Sequence, residues 1–179
     1  MIYDVLQTLV DDLNVYFKTK LNIQEEKVVL SALVNQDGSI ALQTENKVIT
    51  TLLNFEKEPF SSSPQKIGRQ TLTLNLYVLF SCYFSNTNYS EALRFLDLII
   101  VYFEENYIMS SSTKGSYSGS NKINIEIETF NLEKAHNIWS TLGAKYMPSA
   151  VYKIRMVIVE SNSISSFIPS GKGLSSGTN

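Results

Sequence analysis

From Leu72 to Phe80 the chain alternates: Leu72, Leu74, Leu76, Val78 and Phe80 are interleaved with Thr73, Asn75, Tyr77 and Leu79. A period of two sends successive side chains to opposite faces, so this run is a β-strand with one strongly apolar face. A strand of that kind needs hydrogen-bonding neighbours at its edges and a second layer over its apolar face. The remaining elements therefore have to supply a sheet and helices to cover it.

The other periodicities fill that frame. Ile2, Leu6, Leu9, Leu13 and Phe17 lie on one stripe of a first helix, with Asp4 near its positive end and Lys18 and Lys20 near its negative end. Lys27–Leu33 is a short β-prone run, closed by the turn residues Asn35, Gln36, Asp37 and Gly38. Lys47–Phe55 is a second strand, rich in Val, Ile, Thr and Leu. A polar linker from Glu58 to Pro64 follows, carrying two prolines that continue neither a helix nor a central strand. Beyond the alternating strand, Asn88 and Glu91 resemble a capping pair. A long helix then carries Leu93, Leu96, Ile100, Phe103 and Tyr107 as its stripe, widened by Ile99 and Val101.

Ser110–Asn121 reads as a Ser/Gly-rich loop with Tyr117 as its one apolar anchor. Ile123, Ile125 and Ile127 alternate with Asn124, Glu126 and Glu128 as a half-buried strand. Asn131 caps a short helix that Gly143 ends, and a last strand follows Pro148, with Tyr152, Ile154, Met156 and Ile158 on one face. From Ser161 onward Ser and Gly dominate. The expectation is one α+β domain over residues 1–160 and a flexible tail over 161–179. Its sheet is mixed but mainly antiparallel, with five to six strands and three helices, in the order α-β-β-β-α-β-α-β and with the helices against one face.

Composition narrows the functional classes. A chain of 179 residues with 44% hydrophobic and 18% charged residues folds as a domain with a substantial core. Ten tyrosines and few charges lean toward an oligomer, although the same tyrosines equally well complete the core. A net charge of −2 with scattered basic residues gives no electrostatic drive toward nucleic acid. The one cysteine, Cys82, excludes an internal disulfide. Residues 1–20 lack the basic head and apolar block of a signal peptide, and no apolar run is long enough to span a membrane. Cytoplasmic folding is expected.

Reactive groups are sparse. His136, the one histidine, has no second His or Cys near it in sequence to complete a metal site. Cys82 ends an apolar strand, where a small buried hydrophobe is the default. Asp11–Asp12, Glu25–Glu26 and Glu104–Glu105 are adjacent pairs that diverge on a helix, whereas Glu126 and Glu128 share a strand face. No catalytic residue, metal or cofactor is expected.

The segment Leu132–Val159 resembles a known family. Ile138, Trp139, Ser140, Thr141, Leu142 and Gly143 lead into Lys145, Tyr146, Met147, Pro148, Ser149, Ala150, Val151 and Tyr152. A helix ending in Trp-Ser-x-Leu, a Tyr-x-Pro-Ser turn and a Tyr-initiated strand are similar to the N-terminal domain of cap, or tail-terminator, proteins. These belong to extracellular contractile injection systems, the phage-tail-like particles that include the antifeeding prophage and the Photorhabdus virulence cassettes. Members often carry a proline-rich stretch before the central strand, whereas here Pro59 and Pro64 stand alone.

The resemblance implies a structural homo-oligomer, a ring of six subunits closing the distal end of the inner tube and sheath. The partners are then the tube and sheath proteins, with no nucleic acid and no membrane span. It also implies that a sheath terminus extends the terminator's sheet. Such a protein is made in the bacterial cytoplasm and joins a particle that is released or anchored through other subunits. Trp139, Tyr146, Pro148, Ser149, Tyr152 and Tyr117 are the expected contact residues; the tryptophan and the two tyrosines near it serve either the subunit's own packing or a neighbour. The alternatives are a neck or baseplate adaptor of a similar particle, and a small hydrolytic enzyme using Glu126, Glu128 and His136.

Overall fold

The computed structural model describes residues 1–58, 69–111 and 121–161. The elements are α1 (Ile2–Leu21), β1 (Val28–Leu30), β2 (Lys47–Lys57), β3 (Arg69–Tyr83), α2 (Tyr89–Glu105), β4 (Ile108–Ser111), β5 (Asn121–Glu128), α3 (Leu132–Leu142) and β6 (Ser149–Ser161). They build an α+β unit around one six-stranded sheet, ordered β1-β2-β3-β6-β5-β4. Only the β1–β2 pair is parallel. The expected tail, most of the linker and most of the 110–121 loop, Tyr117 included, lie outside the described residues.

The alternating strand became β3 at the centre of the sheet. It pairs with β6 from Arg69↔Ser161 to Ser81↔Ser149 and with β2 on its other side. Its even-numbered residues Leu74, Leu76, Val78 and Phe80 join α1 and α2 in the larger core, with Phe17, Phe95 and Phe103 among their neighbours there. On the opposite face, Leu79 joins Ile49, Val151, Leu33 and Trp139 of α3 in a second core. The helices are thus split between the two faces, not gathered on one as expected. The reason is in β2, β3 and β6: Ile49, Leu79 and Val151 are apolar at positions where a one-sided sheet would carry polar residues, and α3 covers them. Each such side chain, fully buried, contributes roughly 1.5–3 kcal/mol.

Other expectations also needed correction. The early strand contracts from seven residues to the three of β1. The expected loop begins with β4, because Ile108 and Met109 pair with Asn124 and Ile123 and form a hairpin arm that adds one strand to the predicted order. Asn88 makes no side-chain cap for α2 and instead donates to the Asn46 side chain at 3.2 Å. The buried stripe of α2 is Ala92, Phe95, Ile99, Tyr102 and Phe103. Leu93 and Tyr107 are left exposed. Both stripes are apolar, but the buried one presents the aromatic rings. Phe95 meets Phe17 and Phe84, and Phe103 meets Phe80 and Tyr152 with centroids 4.5–5.2 Å apart. Ring pairs at this spacing add attraction beyond the area they bury.

The edge strand β1 is closed by a side chain. Residues Lys27 and Ser31 bond to β2, so Val28 directs its peptide groups outward. Asn14, buried on α1, takes both of them: its Oδ1 accepts from Val28 N–H and Lys27 N–H, and its Nδ2 donates to Val28 C=O, all at 2.9 Å. The carboxamide stands in for a neighbouring strand and docks α1 on the sheet. Replacing Asn14 by Ala leaves those buried peptide groups unpaired, and we expect a loss of about 1–3 kcal/mol in urea unfolding. A loss below a few tenths would show that water replaces the bond freely.

The link between α1 and β1 is tied by charge. Glu25 bridges Lys47 (2.6 Å) and Lys27 (2.9 Å), and hydrogen bonds from these two lysines, Lys47 first, hold its carboxyl down to about 2. A carboxylate whose pKa is lower in the folded than in the unfolded chain stabilises the fold above its unfolded value, and the stabilisation fades as pH falls toward the folded value. Glu25→Gln should therefore lower Tm at pH 6, with the difference from wild type closing between about pH 4.5 and 2. A constant difference across that range would assign the effect to packing.

Candidate assembly surface

The unit from α3 to β6 is built by two local signals. Asn131 Oδ1 accepts from Lys134 N–H at 2.9 Å and caps α3. Gly143 ends it at φ 68°, the left-handed conformation that favours glycine. A Cβ added there would meet nothing within 4 Å, so backbone conformation and not space is what glycine supplies. The chain then runs to Pro148, whose carbonyl accepts from Cys82 N–H at 2.9 Å and registers the start of β6 against the end of β3.

The expected contact residues divide between interior and surface. Trp139 is buried in the α3-side core, and its ring meets Tyr146 edge-on at 5.5 Å. Tyr146 itself is 69% exposed. Pro148 is buried and Ser149 half-buried. Tyr152 is buried on the other face, with Phe103 at 4.5 Å and Phe80 at 5.8 Å, and its hydroxyl has no hydrogen-bond partner among the described residues. Burial, and then the charge of Glu104, push that phenol well above its ordinary range. Trp139, Pro148 and Tyr152 therefore serve the subunit's own packing, and Tyr146 is the member presented to solvent.

Grooves flank α3. One of about 470 Å³ runs beneath it, lined by Leu53, Tyr77, Glu128, Phe130, Ile138 and Leu142 among others. A second, of about 240 Å³, passes Trp139 and Tyr146 around the end of β5 to Ile127 and to Ile100 of α2. His136 is exposed, with Ser140 Oγ at 3.3 Å from its Nε2. Glu126 accepts from Asn124, and Glu128 lines the groove without His136. Burial pushes the Cys82 thiol up to about 12, so it stays protonated at neutral pH. Among the described residues no three His, Cys, Asp or Glu side chains gather to hold a metal ion.

What the sequence reading passed over is the outward face of α2. Leu93 and Val101 are 40% and 46% exposed there, with Asp97 and Glu104 between and beside them. The available signal was the breadth of the stripe: a helix apolar on this much of its circumference is either enclosed or keeps a face for a partner. Charge is uneven as well. The helices α1 and α2 carry Asp4, Asp11, Asp12, Glu91, Asp97, Glu104 and Glu105 against Lys18, Lys20 and Arg94, a formal −4 in a chain of −2. The rest of the chain is accordingly +2.

These placements separate two roles. Trp139→Ala should cost about 3–5 kcal/mol of stability in denaturant unfolding, as large buried aromatics do. Tyr146→Ala, at an exposed position, should cost under about 1 kcal/mol and leave the fold intact. Equal losses would mean that Tyr146 belongs to the core.

Comparison with known proteins gives three results. Residues 4–170 match the family described as the Pvc16 N-terminal domain. No curated protein matches the chain in sequence. Among solved structures, the chain is similar to the sheath/tube terminator of the extracellular contractile injection system PVC in its extended state. That match has a TM-score of 0.63 at 13% identity and covers 100% of this chain and 63% of that one. It is also similar to the tube-terminating cap of the anti-feeding prophage, with a TM-score of 0.49 at 15% identity, over 82% of this chain and 56% of that one. The chain thus spans less than two thirds of the length of either.

Proposed function

This chain belongs to the Pvc16 N-terminal domain family, and on that premise we propose that it is a structural terminator of a contractile injection particle. It closes the distal end of the inner tube and sheath as a ring of six copies. The observation that carries the reading is the family match over residues 4–170, joined to a fold shared with a sheath/tube terminator. The surface supports it: apolar side chains stand exposed on α1, α2 and the α3 turn.

A terminator stops a helical stack because it offers one face to the layer below and no equivalent face above. A cyclic ring of more than two copies also needs a head-to-tail contact, in which each subunit presents two different patches. Contacts of that permanence bury large areas with apolar centres. The exposed Tyr3, Val15, Leu93, Val101, Leu132 and Tyr146 are candidates for covering. A sheath terminus that extends the sheet does so on the β4 side, since Asn14 occupies the β1 edge. The protein acts without a cofactor, a metal or nucleic acid. It is made in the bacterial cytoplasm and leaves it only as part of the particle. Among the described residues no helix is long and apolar enough to cross a membrane, so any anchoring falls to other subunits or segments.

Electron microscopy of particles assembled without this chain tests the assignment. The expected particles have open or frayed distal ends and uncontrolled length, with intact baseplates. Normal ends with a missing baseplate or neck would replace the terminator by an adaptor.

A further inference from the structure

The last turn of α2 gathers charge of the adverse sign. A helix ends in unpaired carbonyls and a partial negative charge, which a basic residue in the last turn offsets. Here that turn holds Glu104 and Glu105 with no basic residue, and neither glutamate forms an ion pair among the described residues. Beside it lies a cavity of about 420 Å³, walled by Phe103, Glu104 and Tyr107 at the end of α2 and by Ile125, Ile127 and Tyr152 of the sheet. The cavity sits where β4 stops short. Pairing of β4 with β5 ends at Ile108↔Asn124, with one further bond from Ile125 N–H to Tyr107 C=O at 2.8 Å. Peptide groups alternate sides along a strand, so Ile127 turns its N–H and C=O to the same side as Ile125, beyond the end of β4.

Tyr152 is the second, independent sign of a ligand. It is 1% exposed, it lines this cavity, and its hydroxyl has no hydrogen-bond partner among the described residues. Buried polar groups in folded chains are nearly always bonded, and an absent ligand is one way such a hydroxyl is satisfied. We propose that this cavity takes an arginine side chain of a partner protein. Glu104 supplies the opposite charge, and the Tyr152 hydroxyl and the Ile127 carbonyl supply acceptor oxygens. Ile125 and Ile127 give apolar surface to the arginine stem, and Tyr107, 57% exposed, offers a ring face to its head. A planar guanidinium stacks on a ring while its separate N–H groups reach several acceptors, whereas a lysine ammonium is a point charge. The formal −4 of α1 and α2 draws a basic partner to this side of the sheet. The site stands apart from the terminator reading and requires no ring.

Titration of the full chain with a capped Gly-Gly-Arg-Gly-Gly peptide, followed by nuclear magnetic resonance, tests this. Saturable shifts should centre on Phe103–Tyr107 and Asn124–Ile127, and the same peptide with neutral citrulline for arginine should produce none. Tyr152→Phe should weaken the arginine peptide about tenfold, the effect of losing a hydrogen bond to a charged group, without lowering Tm. Glu104→Gln, at an exposed position, should weaken it about threefold and leave the fold intact. Absence of saturable shifts, or equal shifts with citrulline, overturns the site. Shifts spread over the acidic residues of α1 and α2 reduce it to general charge attraction and overturn it too. Wild-type affinity in Tyr152→Phe overturns the role of the hydroxyl, and wild-type affinity in Glu104→Gln overturns that of the carboxylate. A lysine peptide that binds as tightly overturns the choice of arginine.

Discussion

The pairing of β3 with β6 is the constraint the rest of the structure depends on. These two strands run antiparallel from Arg69↔Ser161 to Ser81↔Ser149, each with a further partner on its outer side. Their alternating side chains feed two cores at once, Leu76, Phe80, Tyr152 and Ile154 on the α1–α2 side and Leu79 and Val151 on the α3 side. A one-residue slip would exchange the two sets and turn aromatic rings into a space shaped for Val and Leu. The register is pinned at one end by Cys82 N–H to Pro148 C=O and farther along by the Arg155 guanidinium, which grips Glu58 from across β3 at 2.7–3.1 Å. Because β6 begins where α3 ends, the same register decides where the Trp139–Tyr146 corner stands.

Polar groups inside the sheet show how tightly that arrangement is specified. Asn14 spends its whole carboxamide on the outward peptide groups of the β1 edge, which both docks α1 and denies the edge to another chain. Thr50, Asn75, Ser81 and Tyr152, in contrast, each keep a buried side-chain oxygen without a partner among the described residues. An unpaired buried hydroxyl costs roughly 1–3 kcal/mol, and at Tyr152 the packing of its ring against Phe80 and Phe103 offsets that cost.

The two faces of the sheet leave the molecule polarised. The helical layer concentrates negative charge and exposed aliphatic side chains, while the α3 side carries lysines beside an exposed tyrosine and leucine. That division follows from layering: a two-sided sheet puts its coverings on opposite surfaces, and each covering helix keeps an outward stripe.

Much of this was legible in the residues. The period of two identified β3, Asn131 and Gly143 marked both ends of α3, and the Trp-Ser-x-Leu and Tyr-x-Pro-Ser segments carried the family resemblance. Those signals are local: they depend on the conformational preferences of a few neighbouring residues, which the sequence states directly. Tertiary contacts alone decided which of two apolar stripes α2 would bury, because only the positions of Phe17, Phe80 and Tyr152 distinguish them. They also decided that α3 would lie across the sheet from the other helices, that Ile108 and Met109 would pair as β4, and that Asn14 would act as a strand. Among the expected contact residues in the described part of the chain, the sequence could not say which aromatic is buried and which faces outward. Burial of a ring depends on what stands opposite it in space, and that partner lies tens of residues away along the chain.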